Sequence, residues 1–458
     1  MADANLFGEQ FGGDSWAAWR ALLAGFYGLP LDKTEADTFK TLTGRQSAPQ
    51  SAHDELWLAV GRRGGKSQCA ALLAVYEAAF RDYRAQLAPG EVATVMVLAA
   101  DRKQARSVMR YISGLVESNP MLRQMVARED RESIELTNRT AIEVHTASFR
   151  TVRGYTLACC IADEVAFWRS EDSANPDYEI INALRPAMAT LGGKLVALSS
   201  PYAKRGELWE NHRRYFGKPD SILVARAASR TMNPTLPEHI VNRALERDEA
   251  AARAEYMAEF RSDIASFVDR ETVEELARDK PATLPFDRAN AYFAFADPNG
   301  GGKDEFTLAI GHDDGGKTVT DLLLARTGKP QDIVADYADV LKQYRVYDVT
   351  ADRYAGSWPA DEFKRHGIHL EHSTKVRSDL YRDALAVINS GRCELPPDTR
   401  MVAQFTSLER RTSRSGKDTI DHPSGGHDDR ANVVAGLLAN ARQTRGTSPE
   451  TWAKLAGY

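Results

Sequence analysis

Two sets of residues in this 458-residue sequence have types and spacings suited to phosphate chemistry. The first is Val60-Gly61-Arg62-Arg63-Gly64-Gly65-Lys66-Ser67, between an apolar run and a helix-patterned one. Glycines let the backbone approach an anion closely, and amides at a helix N-terminus attract phosphate oxygens. Lys66 is placed to reach the β- and γ-phosphates, and Ser67 to bind Mg²⁺. The standard loop has glycine where Val60 stands. Here the glycine is displaced by one, to Gly61, while the Gly-Lys-Ser core is intact, so this is a variant loop. Further along, the apolar run Leu157 to Ala162 ends in Asp163 and Glu164. Asp163 suits a hydrated Mg²⁺, and Glu164 suits orienting or deprotonating an attacking water. Alone, these are a glycine-rich turn and a pair of strand-end acids. Together they predict ATP hydrolysis. The run Leu195 to Leu198 ends in Ser199-Ser200-Pro201, which either senses the γ-phosphate or is a simple turn.

The second set is scattered aspartates. Tyr292 to Ala296 is strand-like and ends in Asp297, ahead of a glycine loop and Asp304. A second strand pattern ends in Asp352, and Gly425-Gly426-His427-Asp428-Asp429 opens the last helix. Asp297, Asp352 and Asp428 could converge on two divalent metals that clamp the water and leaving oxygen of a phosphodiester cleavage. Oxygen-only ligands favour Mg²⁺ or Mn²⁺ over Zn²⁺. Asp428 is equally suited to capping its helix, and His427 is as much a structural as a metal-site candidate. Between the last acids, Glu409 to Lys417 reads as a mobile cationic loop, either gripping a phosphate backbone or merely solvated.

The elements that must position these residues are legible as a pattern. Residues 1–45 are helical and amphipathic, with Trp16, Trp19, Leu22, Leu23 and Phe26 at helical spacing. From residue 55, continuous apolar strands (56–60, 94–100, 157–162, 195–198) alternate with helical stretches. That predicts a mainly parallel sheet covered on both faces. A hairpin is expected across Asn138-Arg139, and the strand signal fades after Ala225. A helical linker over 231–290 follows. A second strand block (292–296, 306–311, 318–324, 346–351, 368–371) carries a turn at Asp313-Asp314-Gly315-Gly316. Strand, hairpin, later strand and acid-opened helix is the order of a ribonuclease-H-like nuclease. The expected domains are 1–45, 46–230, 231–290 and 291–458.

Composition narrows the class. With 43% hydrophobic and 27% charged residues the chain is ordinary for a globular protein, which rules out global disorder. No apolar run is long enough for a membrane span, and residues 1–10 lack the pattern of a signal peptide. The four cysteines form no metal pattern, so reduced core thiols and an intracellular setting are expected. Net charge is −5, from 59 basic and 64 acidic residues, so nucleic-acid binding would use local patches rather than a basic surface.

The two motif sets together resemble the large terminase subunit of tailed bacteriophages, across nearly the whole chain. The resemblance rests on Gly61 to Ser67, Ile161 to Glu164, Ser199 to Pro201, Asn233-Pro234, Asp297 with its glycine loop, Asp352, and His427 to Asp429. It implies an ASCE-type P-loop ATPase domain followed by a ribonuclease-H-like nuclease domain. Lys66 and Ser67 would be the Walker A residues, Asp163 the metal ligand and Glu164 the catalytic carboxylate. Ser199 and Ser200 would couple hydrolysis to DNA movement. Arg62 (with Arg63, Gly64 and Gly65 beside it) would contact phosphates, and Arg153 would be a candidate trans-acting arginine finger. Asp297, Asp352 and Asp428 would bind the nuclease metals, supported by Asp304 and Asp429. The implied cofactors are ATP and Mg²⁺, with two Mg²⁺ or Mn²⁺ ions at the nuclease. The implied partners are double-stranded DNA, a portal protein, the small terminase subunit and further copies in a ring, in the host cytoplasm. The rival expectation is a P-loop helicase or DNA-remodelling ATPase with an inactive nuclease-like domain. Gln46 and Gln50 are the candidates for adenine.

Overall fold

The computed structural model describes residues 1–148, 152, 154–168, 176–298, 304–352, 358–412, 418–423 and 426–444. The chain forms two compact units, which divide after Ser262, so the 231–290 segment is shared between them.

The first unit is built on eight strands: β1 (Glu55–Val60), β2 (Ala93–Ala99), β3 (Val126–Glu129), β4 (Ser133–Leu136), β5 (Thr140–Thr146), β6 (Thr156–Asp163), β7 (Lys194–Ser199) and β8 (Ile222–Ala227). Their order is β3-β4-β5-β2-β6-β7-β1-β8. β5 through β8 pair in parallel, and β3-β4-β5 is an antiparallel edge turning through Asn138-Arg139. One strand, β7, separates the phosphate-loop strand β1 from the acid-ended strand β6, as in ASCE-type ATPases. The strands are apolar throughout because both faces are covered. Leu56, Leu58 and Val60 face one core, shared with helices Lys66–Phe80 and Arg102–Glu117. Trp57 and Ala59 face the other, shared with helices Pro176–Met188 and Gly206–Tyr215. Period-2 alternation thus feeds two cores from one strand.

The N-terminal stripe packs on this unit. Trp19, Leu22 and Phe26 of helix Ala17–Phe26 are fully buried in the first core. Helix Lys33–Thr43 opens on a capping box, Asp32 accepting from the Glu35 amide and Glu35 from the Asp32 amide.

The second unit holds β9 (Ile264–Ser266), β10 (Tyr292–Asp297), β11 (Phe306–Asp314), β12 (Lys317–Arg326), β13 (Asp348–Ala351), β14 (His369–His372), β15 (Cys393–Glu394), β16 (Glu409–Thr412) and β17 (Asp418–Asp421). Its main sheet runs β14-β13-β10-β11-β12-β15. β10-β11-β12 is an antiparallel meander turning at Gly315-Gly316, and β13 and β14 add in parallel beside β10. That is the strand order expected of a ribonuclease-H-like domain. Helices Pro330–Gln343 and Trp358–Arg365 cover one face. Helices Arg377–Asn389, Thr399–Ser407 and Asp429–Thr444 cover the other.

One expectation needs correction. Residues 409–412 are not part of a loop but form β16, paired with β17 and β9. Arg410 pairs with Asp418, and Arg411 lies 2.9 Å from the fully buried Glu409. Residues 413–417 lie outside the described residues. The four cysteines are buried and free. Among the described residues no helix is long and apolar enough to cross a membrane.

Candidate ATP and metal sites

The phosphate loop leaves β1 and enters helix Lys66–Phe80 through two left-handed residues, Arg63 (φ 66°) and Gly65 (φ 91°). Gly61 is fixed by close approach: a Cβ there would lie 2.4 Å from Ser229 Oγ and 2.8 Å from the Tyr256 carbonyl oxygen. The displaced glycine therefore answers to the segment packed against it. The loop is held from several sides. Ser229 Oγ donates to the Arg62 carbonyl at 2.6 Å, Asn233 Nδ2 to the Arg63 carbonyl at 2.9 Å, and the Trp19 indole to the Gly64 carbonyl at 2.8 Å. The exposed Arg62 side chain pairs with Glu255 at 3.2 Å, and Arg63 lines the cleft beside the loop.

Lys66 is almost fully buried. Its ammonium donates to Ser200 Oγ at 2.8 Å and to the Val60 carbonyl at 3.1 Å, and lies 3.4 Å from Glu164 Oε1. Glu164 follows β6 in a left-handed conformation (φ 52°, ψ 44°), uncommon for a residue with a side chain. Its Oε2 accepts from Ser199 Oγ at 2.9 Å and from the Ser200 amide at 3.1 Å. Asp163 is buried and receives Gln104 Nε2 at 2.8 Å on Oδ2. Its Oδ1 has no hydrogen-bond partner among the described residues. Burial pushes the Asp163 carboxyl up to about 7, with the Glu164 charge adding to the rise. A buried carboxylate oxygen without a donor fits a cation or its water, so this donor set suits Mg²⁺.

A cleft of roughly 600 Å³ opens beside the loop, lined by Gly64 to Gln68 on one side and Trp16, Tyr111, Met232, Leu236 and Pro237 on the other. A Cβ on Gly65 would lie 3.2 Å from the Trp16 ring. Gln46 and Gln50 are exposed and are not among the lining residues. Arg153 lies outside the described residues.

In the second unit, Asp297 ends β10, Asp352 follows β13, and Asp428 precedes the last helix. Asp352 and Asp428 are buried, 1% and 4% exposed. Asn432, one turn into that helix, bridges two of the acids, donating to Asp297 Oδ2 at 2.7 Å and Asp352 Oδ2 at 2.8 Å. Tyr381 donates to Asp428 Oδ2 at 2.7 Å. Arg377 lies 3.5 Å from Asp352 Oδ2 and 3.4 Å from both oxygens of Asp428. Burial raises Asp297 to about 7, the Asp352 and Asp429 charges add to it, and Asn432 and Arg377 oppose it. Asp304, His427 and Asp429 form a neighbouring cluster whose ligand atoms lie within 4.8 Å of one another. Asp429 Oδ2 accepts from the Glu305 amide at 3.3 Å, and burial raises its carboxyl to about 6. That cluster offers two carboxylates and an imidazole, whereas Asp297, Asp352 and Asp428, linked through Asn432 and Arg377, offer only oxygen donors, the type a hard divalent cation prefers.

Comparison with family models finds no match, and no curated protein matches either. Solved structures do. The HK97 bacteriophage large terminase is similar over 93% of this chain and 99% of its own, at 15% identity and a TM-score of 0.40. The large terminase nuclease of thermophilic phage G20c is similar over 35% of this chain and 92% of its own, at 22% identity and a TM-score of 0.30. These similar chains are phage large terminases.

Several residues at the two sites carried no motif. Trp19 reads as a core residue and Gln104 as one of many helix residues. Arg377 and Tyr381 sit in an unremarked helix. Asn432 had a usable signal: it lies four residues after Asp428, and therefore one helical turn away.

Proposed function

We propose that this chain is a viral DNA-packaging motor subunit, hydrolysing ATP to move double-stranded DNA and cutting that DNA at its acidic triad. The observation that carries the reading is Lys66 and Glu164 meeting at 3.4 Å, joined through Ser199 and Ser200. A phosphate-loop lysine beside a water-activating carboxylate is the constellation of nucleotide hydrolysis. On the same chain stands a second sheet with aspartates at two strand ends and a third at the start of the last helix.

In the first site the loop amides and Lys66 bind the terminal phosphates, Lys66 exchanging its contacts with Ser200 and Glu164 for phosphate oxygens. Asp163 and Ser67 hold Mg²⁺, which when bound neutralises phosphate charge. Glu164 orients the attacking water and takes its proton. Trp16, Met232, Leu236 and Pro237 offer the base an apolar wall. Arg62 leaves Glu255 for phosphate, Arg153 serves a neighbouring copy, and Ser199 with Ser200 relays the state of the site to the moving parts. In the second site Asp297, Asp352 and Asp428 hold divalent cations, two in this reading, with Asp304 and Asp429 in support. A metal held by these acids would supply an activated water and stabilise the leaving oxygen. A homo-oligomeric ring on a portal, fed by a small terminase subunit in the cytoplasm of the bacterial host, completes the proposal.

The test is ATP turnover and plasmid cleavage by the full chain with Mg²⁺ or Mn²⁺, against Glu164→Gln and Asp297→Asn. The reading predicts that the first variant loses turnover alone and the second loses cleavage alone. ATP turnover without cleavage in either metal would instead support the helicase-like rival.

A further inference from the structure

The acidic triad contains a cation of its own, and that inference rests on the nuclease reading above. Arg377 opens helix Arg377–Asn389, and Tyr381 stands one turn later on the same face. Both reach the triad: Tyr381 bonds Asp428 at 2.7 Å, and the Arg377 guanidinium spans Asp352 and Asp428. Among the described residues, Asn432, which is neutral, and His422, whose Nε2 lies 4.0 Å from Asp428 Oδ1, also face these acids. Burying carboxylates without a nearby positive charge is costly, and Arg377 offsets that cost.

The grip is loose. Contacts of 3.4–3.5 Å are long beside the 2.7–2.9 Å of a tight guanidinium–carboxylate fork. The guanidinium supplies charge without locking the oxygens, and these are the oxygens a divalent cation would need. We propose that Arg377 is an internal counter-ion that competes with divalent cations for Asp352 and Asp428, and so sets the metal affinity of the site. It acts as a positioning residue, holding the carboxylates together while keeping metal binding weak.

The experiment is calorimetric titration of the full chain with MnCl₂ at pH 8, where the raised carboxyls are ionised. Arg377→Gln should bind Mn²⁺ about tenfold more tightly than the wild type, the effect of removing one competing charge at this range. In EDTA the same variant should melt below the wild type, and saturating Mn²⁺ should close or reverse the gap. Adding Asp297→Asn to Arg377→Gln should weaken the tightened binding, which assigns the heat to this site. Equal or weaker Mn²⁺ binding by a folded Arg377→Gln overturns the proposal. If that variant does not fold, Arg377→Lys decides. Its ammonium cannot span both acids, so affinity should rise about threefold, and an unchanged affinity overturns the idea. If neither wild type nor variant binds Mn²⁺, the nuclease reading falls as well.

Discussion

The phosphate-loop site and the aspartate triad both hold carboxylates close together, and they neutralise them differently. In the first, the acids are sequence neighbours, and the cation comes from the loop itself. Lys66 has three partners within 3.4 Å, two of them neutral oxygens. In the second, the acids come from three separate elements, and the charge comes from Arg377 at the long end of bonding distance. An amide, Asn432, ties Asp297 to Asp352. One site carries its counter-charge on the residue that the reading gives to substrate. The other borrows it from a helix that carries no motif.

The largest effects should come from the acids and the lysine. Lys66→Ala and Glu164→Gln are each expected to lower ATP turnover by about a thousandfold, the scale of losing a group that stabilises phosphoryl transfer. Metal-dependent cleavage by the same proteins should stay within about twofold. Loss of both activities together would show that the two sites are not separable. Asp352→Asn reverses the pattern: cleavage should fall at least a hundredfold, with turnover kept.

A middle-sized effect separates the two ways of holding acids. Asn432→Leu removes one hydrogen bond from the buried Asp352 and one from the half-buried Asp297, and should cost roughly 2 kcal/mol in EDTA, read by thermal melting. Mg²⁺ should restore part of it. No recovery with metal would mean that Asn432 serves packing rather than the acids.

The smallest effects concern protons. A carboxyl raised in the fold to about 7, as at Asp163 and Asp297, takes up its proton more readily folded than unfolded. Between the ordinary carboxylate value and about 7 the folded chain therefore holds more protons, and stability falls as pH rises. Melting in EDTA should drop from pH 5 to pH 8, and Asp297→Asn should flatten part of that slope. Mn²⁺ affinity at the triad should climb over pH 6 to 8 as Asp297 gives up its proton. An affinity independent of pH there would mean that Asp297 is already ionised.

The difference between the sites also explains how much was legible. Lys66, Ser67, Asp163 and Glu164 lie in short contiguous motifs whose roles depend on local geometry, so composition and spacing locate them. The strands that carry them are continuous apolar runs because both faces are buried. β3 and β9 were not singled out: β3 is an edge strand reading Val-Ala-Arg-Glu, and β9 has only three residues. Both depend on their neighbours rather than on a pattern of their own. At the triad, strand ends and a helix start announce the acids. Arg377 and Tyr381 reach them through tertiary packing, across a separation no local pattern encodes. The cleft wall is a similar case. Trp16 reads as one member of an amphipathic stripe, and only folding brings it against Gly65.

That last contact has a spectroscopic consequence. Trp16 lines the cleft, and Trp19 donates its indole N–H to the loop carbonyl of Gly64. Two of the seven tryptophans in the chain are therefore coupled to the segment that the proposed function gives to phosphate. Tryptophan emission responds to hydrogen bonding and to quenching by a stacked base, so under the proposed function these two residues would report nucleotide without a label. Adding ATP to the unlabelled chain should change the emission, Trp16→Phe should remove the part due to the base, and Trp19→Phe the part due to the loop.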